Sequence, residues 1–274
     1  MGWMTKRRLR TGPTAVLPAK PDLDELLRIV RLADPGARRE GDDIVAADAR
    51  VCAPVEAEPA LTGGELEKGW AVRVAAEGPL PVNFFDRFLA EGLAFRLNGL
   101  AVCRGEVSDP ADDGEGGPAV ILPVRPTPEE LAPLLEQEEE GVAFTAGEIR
   151  AVLVPEKGQP PAVQELLPFA TELTAIELRG DEPVKLGALA LELSEALNGI
   201  AVDRWRFRID AAEDLVSSGA PKDAAEAPED VSTADDAEDD VEDVAEDVAE
   251  DGESDGQNDG ESDGEKGSKG REDA

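Results

Sequence analysis

Apolar residues recur with one spacing in two parts of the chain. Leucines occupy every fourth position in both parts: Leu89, Leu93 and Leu97 in the first, and Leu189, Leu193 and Leu197 in the second. This spacing places the leucines on one face of a helix. An Asn-Gly pair follows each stripe, at 98–99 and at 198–199. Because glycine adopts the left-handed conformation without a Cβ clash, each pair predicts a helix C-terminus with glycine in that conformation.

Further matches lie on both sides of these predicted helices. The segments after the Asn-Gly pairs, 100–103 and 200–202, are short, apolar and partly β-branched, which predicts strands. Upstream, Asp22 and Thr127 follow matching Leu-Pro segments, and each has a glutamate three positions later, as in a capping box. Two more pairs of strand-like segments match: 51–54 with 152–155, and 71–74 with 175–178. Each half therefore predicts the order strand, helix, strand, strand, helix, strand.

A βαββαβ unit resembles the ferredoxin-like split-βαβ arrangement, in which two helices cover one face of a four-stranded antiparallel sheet. The sequence therefore predicts an α+β protein formed by tandem duplication of this unit. The expected organisation is a basic disordered arm at 1–13, a first repeat at 14–107, a linker at 108–118, a second repeat at 119–210 and a disordered acidic tail at 211–274. The alternative is chance recurrence in a chain rich in alanine and leucine. Matches at five places in the same order favour duplication.

The loops between the second and third predicted strands differ most between the halves. The first, 56–68, is longer and contains Thr62-Gly63-Gly64, whereas the second, 156–164, contains two adjacent prolines. Binding residues concentrate in variable loops, so we expect a binding role to diverge here. Phe84, Phe85 and Phe88 open the second helix of the first half and are expected in the core. One that faced outward would indicate a partner surface.

Charge is distributed unevenly along the chain. The net charge is −35, and residues 211–274 alone contain 25 acidic and 4 basic residues. A segment of this composition cannot bury enough apolar surface to fold by itself. Within it, valines recur at helical spacing and could form an amphipathic helix on a partner: Val241, Val244 and Val248. An acidic run at 136–140 is expected at the fraying end of the first helix of the second repeat.

Three arginines alternate along the last predicted strand, 202–209: Arg204, Arg206 and Arg208. A strand would place them on one face and Trp205, Phe207 and Ile209 on the other. This pattern predicts a docking strip for a carboxylate-rich or phosphate-bearing partner. Two other interpretations are an edge strand protected by positive charge and a strip that holds the acidic tail.

The ends of the chain and the cysteines indicate the compartment. Lys6, Arg7, Arg8 and Arg10 form a basic arm that could contact an anionic surface, but no apolar stretch follows as in a secretory signal. No segment is long and apolar enough to predict a membrane span. Cys52 and Cys103 fall on opposite edges of the predicted sheet, so buried thiols are expected rather than a disulfide. We therefore expect a cytoplasmic protein.

The composition argues against catalysis. The chain contains no histidine and no tyrosine, and no nucleotide-binding or nucleophile motif occurs in it. The acidic repeats at 251–256 and 259–264 lack the glutamate that ends a calcium loop, so no cofactor is expected. Nucleic acid binding is not expected either, because the predicted strands lack aromatic platforms and the net charge is negative.

Two functions remain. The sequence favours a non-catalytic protein-protein interaction or adaptor module whose polyanionic tail is directed at a basic protein partner. The alternative is a regulatory module that binds a small molecule between the two repeats, a use in which the architecture resembles amino-acid-sensing domains. A tail that only keeps the protein soluble is a third interpretation.

Overall fold

A computed structural model describes residues 3–77, 84–112, 116–138, 143–170 and 172–216, with side chains of the first helix from residue 7 onward. These residues form an α+β structure with two antiparallel sheets. The helices are α1 (Trp3–Thr11), α2 (Leu23–Ala33), α3 (Phe85–Arg96), α4 (Pro128–Leu131) and α5 (Pro183–Ala196), with 3-10 helices at Pro59–Leu61, Pro161–Phe169 and Ala212–Leu215.

The strands of the first sheet are β1 (Thr14–Leu17), β2 (Arg38–Glu40), β3 (Asp43–Ala46), β4 (Ala49–Val51), β5 (Val55–Ala57), β6 (Gly69–Ala76), β7 (Leu100–Cys103) and β8 (Glu106–Ser108). They lie in the order β2-β3-β4-β6-β1-β7-β8, and β5 also pairs with β6. Helices α2 and α3 cover one face, where Leu26, Leu89 and Leu93 pack on Leu17 and Val72. Helix α1 packs against β7, with Leu9 buried, so it extends the structure beyond the two predicted helices.

The strands of the second sheet are β9 (Ala119–Leu122), β10 (Glu136–Gln137), β11 (Ala143–Ala146), β12 (Ile149–Glu156), β13 (Leu173–Arg179) and β14 (Ile200–Val202). Their order is β10-β11-β12-β13-β9-β14. Helices α4 and α5 cover one face through a core that includes Leu131, Leu189 and Leu193. The 3-10 helix Pro161–Phe169 covers the other face, where Val163 packs on Ile121.

Corresponding strands occupy the same order in both sheets: β7-β1-β6-β4 in the first and β14-β9-β13-β12 in the second. The predicted helix starts are confirmed. The Asp22 carboxylate accepts hydrogen bonds from the amides of Asp24 and Glu25. Thr127 and Glu130 form a complete capping box at α4.

The two Asn-Gly turns differ from the prediction in which residue is left-handed. Asn98 and Asn198 have φ angles of 53° and 52°, whereas neither following glycine has a positive φ. The glycines are needed for space. A Cβ on Gly99 would lie 2.3 Å from the carbonyl oxygen of Val16, and one on Gly199 would lie 2.4 Å from Leu122 Cδ2. Both helices thus end in the same way against the first strand of their own sheet.

Three predicted segments differ in the structure. The basic arm is helical in α1 rather than unstructured. Helix α4 ends at Leu131, because Pro133 disfavours continued helix, and residues 136–137 of the acidic run are strand β10. The 3-10 helix Ala212–Leu215 packs on α5, so order extends past the predicted tail boundary at 211. The rest of the predicted tail, 217–274, lies outside the described residues.

Candidate functional site

The segment 203–209, here called the clasp, is not the alternating strand that the sequence predicts. Strand β14 ends at Val202, and a turn follows. The Asp203 Oδ1 atom accepts hydrogen bonds from the amides of Trp205 and Phe207, each at 2.9 Å. A single antiparallel bridge then joins Val202 to Arg208. The buried carboxylate therefore satisfies amides that strand neighbours would otherwise bond.

The clasp connects the two halves of the structure through its apolar residues. Trp205 and Phe207 are buried in the core of the first half, whereas Ile209 is buried in the core of the second. The Trp205 ring lies 4.6 Å from the Phe95 ring, centroid to centroid. The Arg208 amide donates to the carbonyl of Leu32 at the end of α2. The second half thus completes the core of the first.

A buried ion pair holds the clasp to α3. Arg96 Nη2 lies 2.8 Å from Asp203 Oδ2, and the two side chains are 8% and 1% exposed. Burial raises the pKa of the Asp203 carboxyl above its usual value, while the Arg96 guanidinium and the two clasp amides oppose that shift. The carboxylate therefore depends on its partners to remain charged.

The three predicted docking arginines contact their own chain and do not lie in a row. Arg204 covers the Trp205 ring at 4.1 Å and donates to the carbonyl of Pro110. Arg208 donates from Nε to the carbonyl of Ala162 at 2.7 Å and pairs with Glu165. Arg206 pairs with Glu156 at 3.0 Å. The strand arrangement is wrong because the clasp turns at 204–206, and a partner-binding role for these arginines stays a prediction.

A cavity of about 360 Å³ lies where the two halves meet. Ala47, Phe85 and Phe88 line it from the first half. The second half contributes residues of the 156–164 loop and Arg206. This loop is one of the two in which the sequence predicts that a binding role would diverge. The structure therefore brings one predicted variable loop and one predicted docking arginine together at one cavity.

Three of the six described non-glycine residues with a positive φ lie in or next to the wall of this cavity. Ala47 and Arg206, both in its wall, have φ angles of 44° and 68°. Phe84, which precedes the wall residue Phe85, has a φ of 60° and is 68% exposed. Residues other than glycine pay an energetic cost in this region, and such positions cluster at functional sites.

The cavity wall contains an ion pair between Glu156 and Arg206. The Glu156 side chain is 8% exposed, and its Oε1 atom accepts the amide hydrogen of Gly158 at 3.0 Å. Its Oε2 atom pairs with Arg206, whose side chain is 26% exposed. Asp48 is an exposed carboxylate in the same lining. The remaining walls are largely apolar, from Phe85, Phe88 and the adjacent prolines.

A second cavity, of about 450 Å³, borders the same loop from the other side. Residues of the second half alone line it, among them Lys157, Leu167 and Glu172. Unlike the cavity between the halves, it has no lining from the first half and does not include the phenylalanine wall. We therefore regard the cavity between the halves as the better candidate site.

Sequence reasoning missed Ala47, Phe85 and Phe88 as site residues. The phenylalanine cluster was a partial signal, and it divides as follows: Phe85 is buried, Phe88 is partly buried and Phe84 faces outward. The predicted partner-binding valines lie outside the described residues: Val241, Val244 and Val248.

Within the described ranges, no cluster of three or more acidic or cysteine side chains is placed to hold a metal ion. None of the helices described is both long enough and apolar enough to cross a membrane. Cys52 and Cys103 are free thiols, but both are only partly buried, whereas buried thiols were predicted.

Comparison of the chain with protein-family models, with curated proteins and with solved structures finds no match.

Proposed function

We propose that the body of the chain is a tandem pair of ferredoxin-like units. The common strand order of the two sheets supports this interpretation, as do the matched ends of α3 and α5. The amides of Gly99 and Gly199 bond the carbonyls of Ala94 and Ser194 at 2.7 and 2.8 Å. Equivalent positions in the two halves thus share both topology and local geometry.

On this body we propose a non-catalytic regulatory module that binds a small molecule between the two units. The observation that carries the proposal is the cavity lined by both halves, with two strained residues in its wall. Small-molecule sites favour concave, mostly apolar interfaces between structural units. A ligand there would contact α3 and the clasp together. Its binding would stabilise the contact between the halves.

A thermal-shift screen of the full chain against a chemically diverse library tests this function. We expect a subset of compounds to raise the Tm. Gln164→Trp, at an exposed position in the cavity lining, should abolish these shifts by filling the site. Gln137→Trp, on the exposed strand β10, is the matched control and should leave them intact. Shifts that persist in both variants, or an absence of shifts across the library, would argue against a site in this cavity.

A second candidate is a protein-protein interaction module that uses the acidic tail. The charge distribution favours it, since residues 211–274 contain 25 acidic and 4 basic residues. A basic protein partner would gain affinity from this charge, and high salt would weaken the complex. The free thiols of Cys52 and Cys103 agree with the cytoplasmic location that we propose for either function.

Pull-down from native lysate at low and high salt tests the tail. One variant has the acidic residues of 217–274 changed to their amides, and a second has the same segment scrambled at constant composition. We expect a basic partner to be lost with the amide variant. Retention by the scrambled tail would show that charge is sufficient, whereas loss would assign a role to the spacing of Val241, Val244 and Val248. Retention by the amide variant would reject the tail as the binding element.

A further inference from the structure

We propose that the cavity between the halves binds a small monocarboxylate with an apolar or aromatic body, and that Arg206 anchors its carboxylate. This inference rests on the proposed small-molecule function and specifies its ligand. Four features of the lining carry it: the free donor capacity of Arg206, the position in which Glu156 holds it, the aromatic wall and the charges at the rim.

Arg206 has hydrogen-bond donors to spare. A guanidinium carries five N–H groups in a planar fork that matches a carboxylate. The ion pair with Glu156 uses Nη2, and about a quarter of the Arg206 side chain is exposed. The opposite holds for Glu156, whose two oxygens both accept bonds and whose side chain is 8% exposed. The unused hydrogen-bonding groups of this ion pair therefore belong to Arg206. A cation with free donors favours an anionic ligand.

The Arg206 guanidinium is also preorganised for ligand binding. Arg206 has a φ of 68°, and the Asp203 carbonyl accepts its amide hydrogen at 3.0 Å. Glu156 is itself fixed by the Gly158 amide, so the pair holds the arginine in one place. A ligand carboxylate would bind a donor that does not need to be ordered first, which lowers the entropic cost of binding.

The apolar wall defines the rest of the ligand. Phe85, Phe88, Pro160 and Pro161 line the cavity and offer no charged group. A volume of about 360 Å³ is at the lower end of the range for small-molecule sites. The body of the ligand should therefore be compact and apolar, and an aromatic ring would stack well against phenylalanine side chains.

The acidic rim limits the ligand to one negative charge. Asp48 is exposed in the lining and Glu156 lies beside Arg206, so a second anionic group would face carboxylates without a second cation. Phosphates and dicarboxylates should therefore be rejected. Because Asp48 is solvated, its repulsion of a single, arginine-paired carboxylate is screened.

Three probes of equal size separate the possible charges: phenylacetate, 2-phenylethanol and 2-phenylethylamine. Binding to the full-length protein is measured by ligand-observed NMR and by calorimetry. We expect phenylacetate to bind at least about tenfold more tightly than the other two, because one charge-assisted hydrogen bond contributes about that much to affinity. Arg206→Gln should remove that preference. Glu156→Gln keeps an oxygen that can accept a hydrogen bond from Arg206 but removes the competing negative charge, so it should strengthen phenylacetate binding.

A pair of surface variants keeps the test decisive if the Arg206 change impairs folding. Gln164→Lys should tighten phenylacetate binding and Gln164→Glu should weaken it, while 2-phenylethanol is unaffected by either. Preference for the amine or the alcohol, or phenylacetate binding insensitive to all four variants, would overturn the ligand class but leave a small-molecule site in place. Failure of every probe, together with an absence of library hits, would reject both proposals.

Discussion

Arg96 Nη2 donates a hydrogen bond of 2.8 Å to Asp203 Oδ2 at a position where both side chains are almost completely buried. Arg96 is the last residue of α3 in the first half, and Asp203 is the first residue of the clasp. The same carboxylate orders the clasp turn through the amides of Trp205 and Phe207. One side chain thus connects the local structure of the second half to the packing of the first.

Asp203→Ala should be strongly destabilising because it leaves the buried Arg96 with only a more distant carboxylate, that of Asp214 at 4.0 Å, and two clasp amides without an acceptor. We expect a loss of about 3–5 kcal/mol in the free energy of unfolding, as for other broken buried pairs. Asp203→Asn keeps acceptors for the amides and should cost less. Urea denaturation measures both. Arg179→Ala, which removes an exposed pair with Glu177, is the control and should change stability by less than about 1 kcal/mol.

Phe207→Ala should destabilise the first half, although Phe207 belongs to the second. The ring is fully buried and lies against Gly92 of α3, where a Cβ would come within 2.3 Å of it. Truncating a buried phenylalanine typically costs about 3–5 kcal/mol. Hydrogen exchange should show faster opening in α3 and β1. Phe84→Ala, at a position 68% exposed, provides the matched control, and equal losses in the two variants would contradict the packing described.

Gly99→Ala and Gly199→Ala should both be destabilising, and the first more so. The new Cβ at 99 meets a main-chain oxygen at 2.3 Å, whereas the Cβ at 199 meets a leucine side-chain methyl at 2.4 Å and its nearest main-chain oxygen at 2.8 Å. Overpacking of this kind costs about 1–3 kcal/mol. Gly180→Ala is the control, since its nearest neighbour would be 3.5 Å away. Thermal unfolding of the three variants tests the order; a neutral Gly99→Ala would show that the helix end is loosely packed.

Alkylation of the thiols should require alkaline pH in the folded protein. Burial is the main cause that raises the pKa of Cys52, and the same holds for Cys103. Less thiolate is then present at neutral pH, so both should react with iodoacetamide more slowly than in denaturant. Because the folded state holds these protons more tightly than the unfolded chain, the free energy of unfolding keeps its full value at neutral pH. It falls as the pH rises through the pKa of the thiols in the folded state. Single Cys→Ser variants assign a rate to each thiol. If the alkylation rate of the folded protein reaches half its maximum at a pH equal to or below that of the unfolded chain, the raised pKa is contradicted.

Local signals in the sequence predicted four of the helices and four strands of each sheet, but they missed helix α1 and six further strands: β2, β3, β5, β8, β10 and β11. Leucine spacing located α3 and α5, and capping residues located the starts of α2 and α4. The alternation of arginine and apolar residues at 202–209 predicted a strand that does not form. The contacts that determine this segment are distant in sequence, because Arg96 and Phe95 lie more than a hundred positions upstream. An aspartate before a turn was the available local signal, and the alternation of arginine with aromatic residues concealed it.

The cavity could not be predicted for a related reason. Its walls come from a turn at Ala47, the start of α3, the loop after β12 and the clasp. No spacing in the chain links these segments. Their proximity depends on how the two halves pack, which hydrophobic periodicity does not encode. The sequence did indicate the variable loop, because a difference between otherwise matched halves is visible without a structure.

The position of the clasp has a consequence for synthesis of the protein. A nascent chain emerges from its N-terminus, and domains generally fold as units as they emerge. The first half cannot do so fully, because Trp205 and Phe207, which belong to its core, are synthesised only after all the strands of the second sheet. Ribosomes that stop before this point would release a chain with an open apolar surface on α2 and α3. Such products should be rapidly degraded, so only chains that extend past the clasp would accumulate.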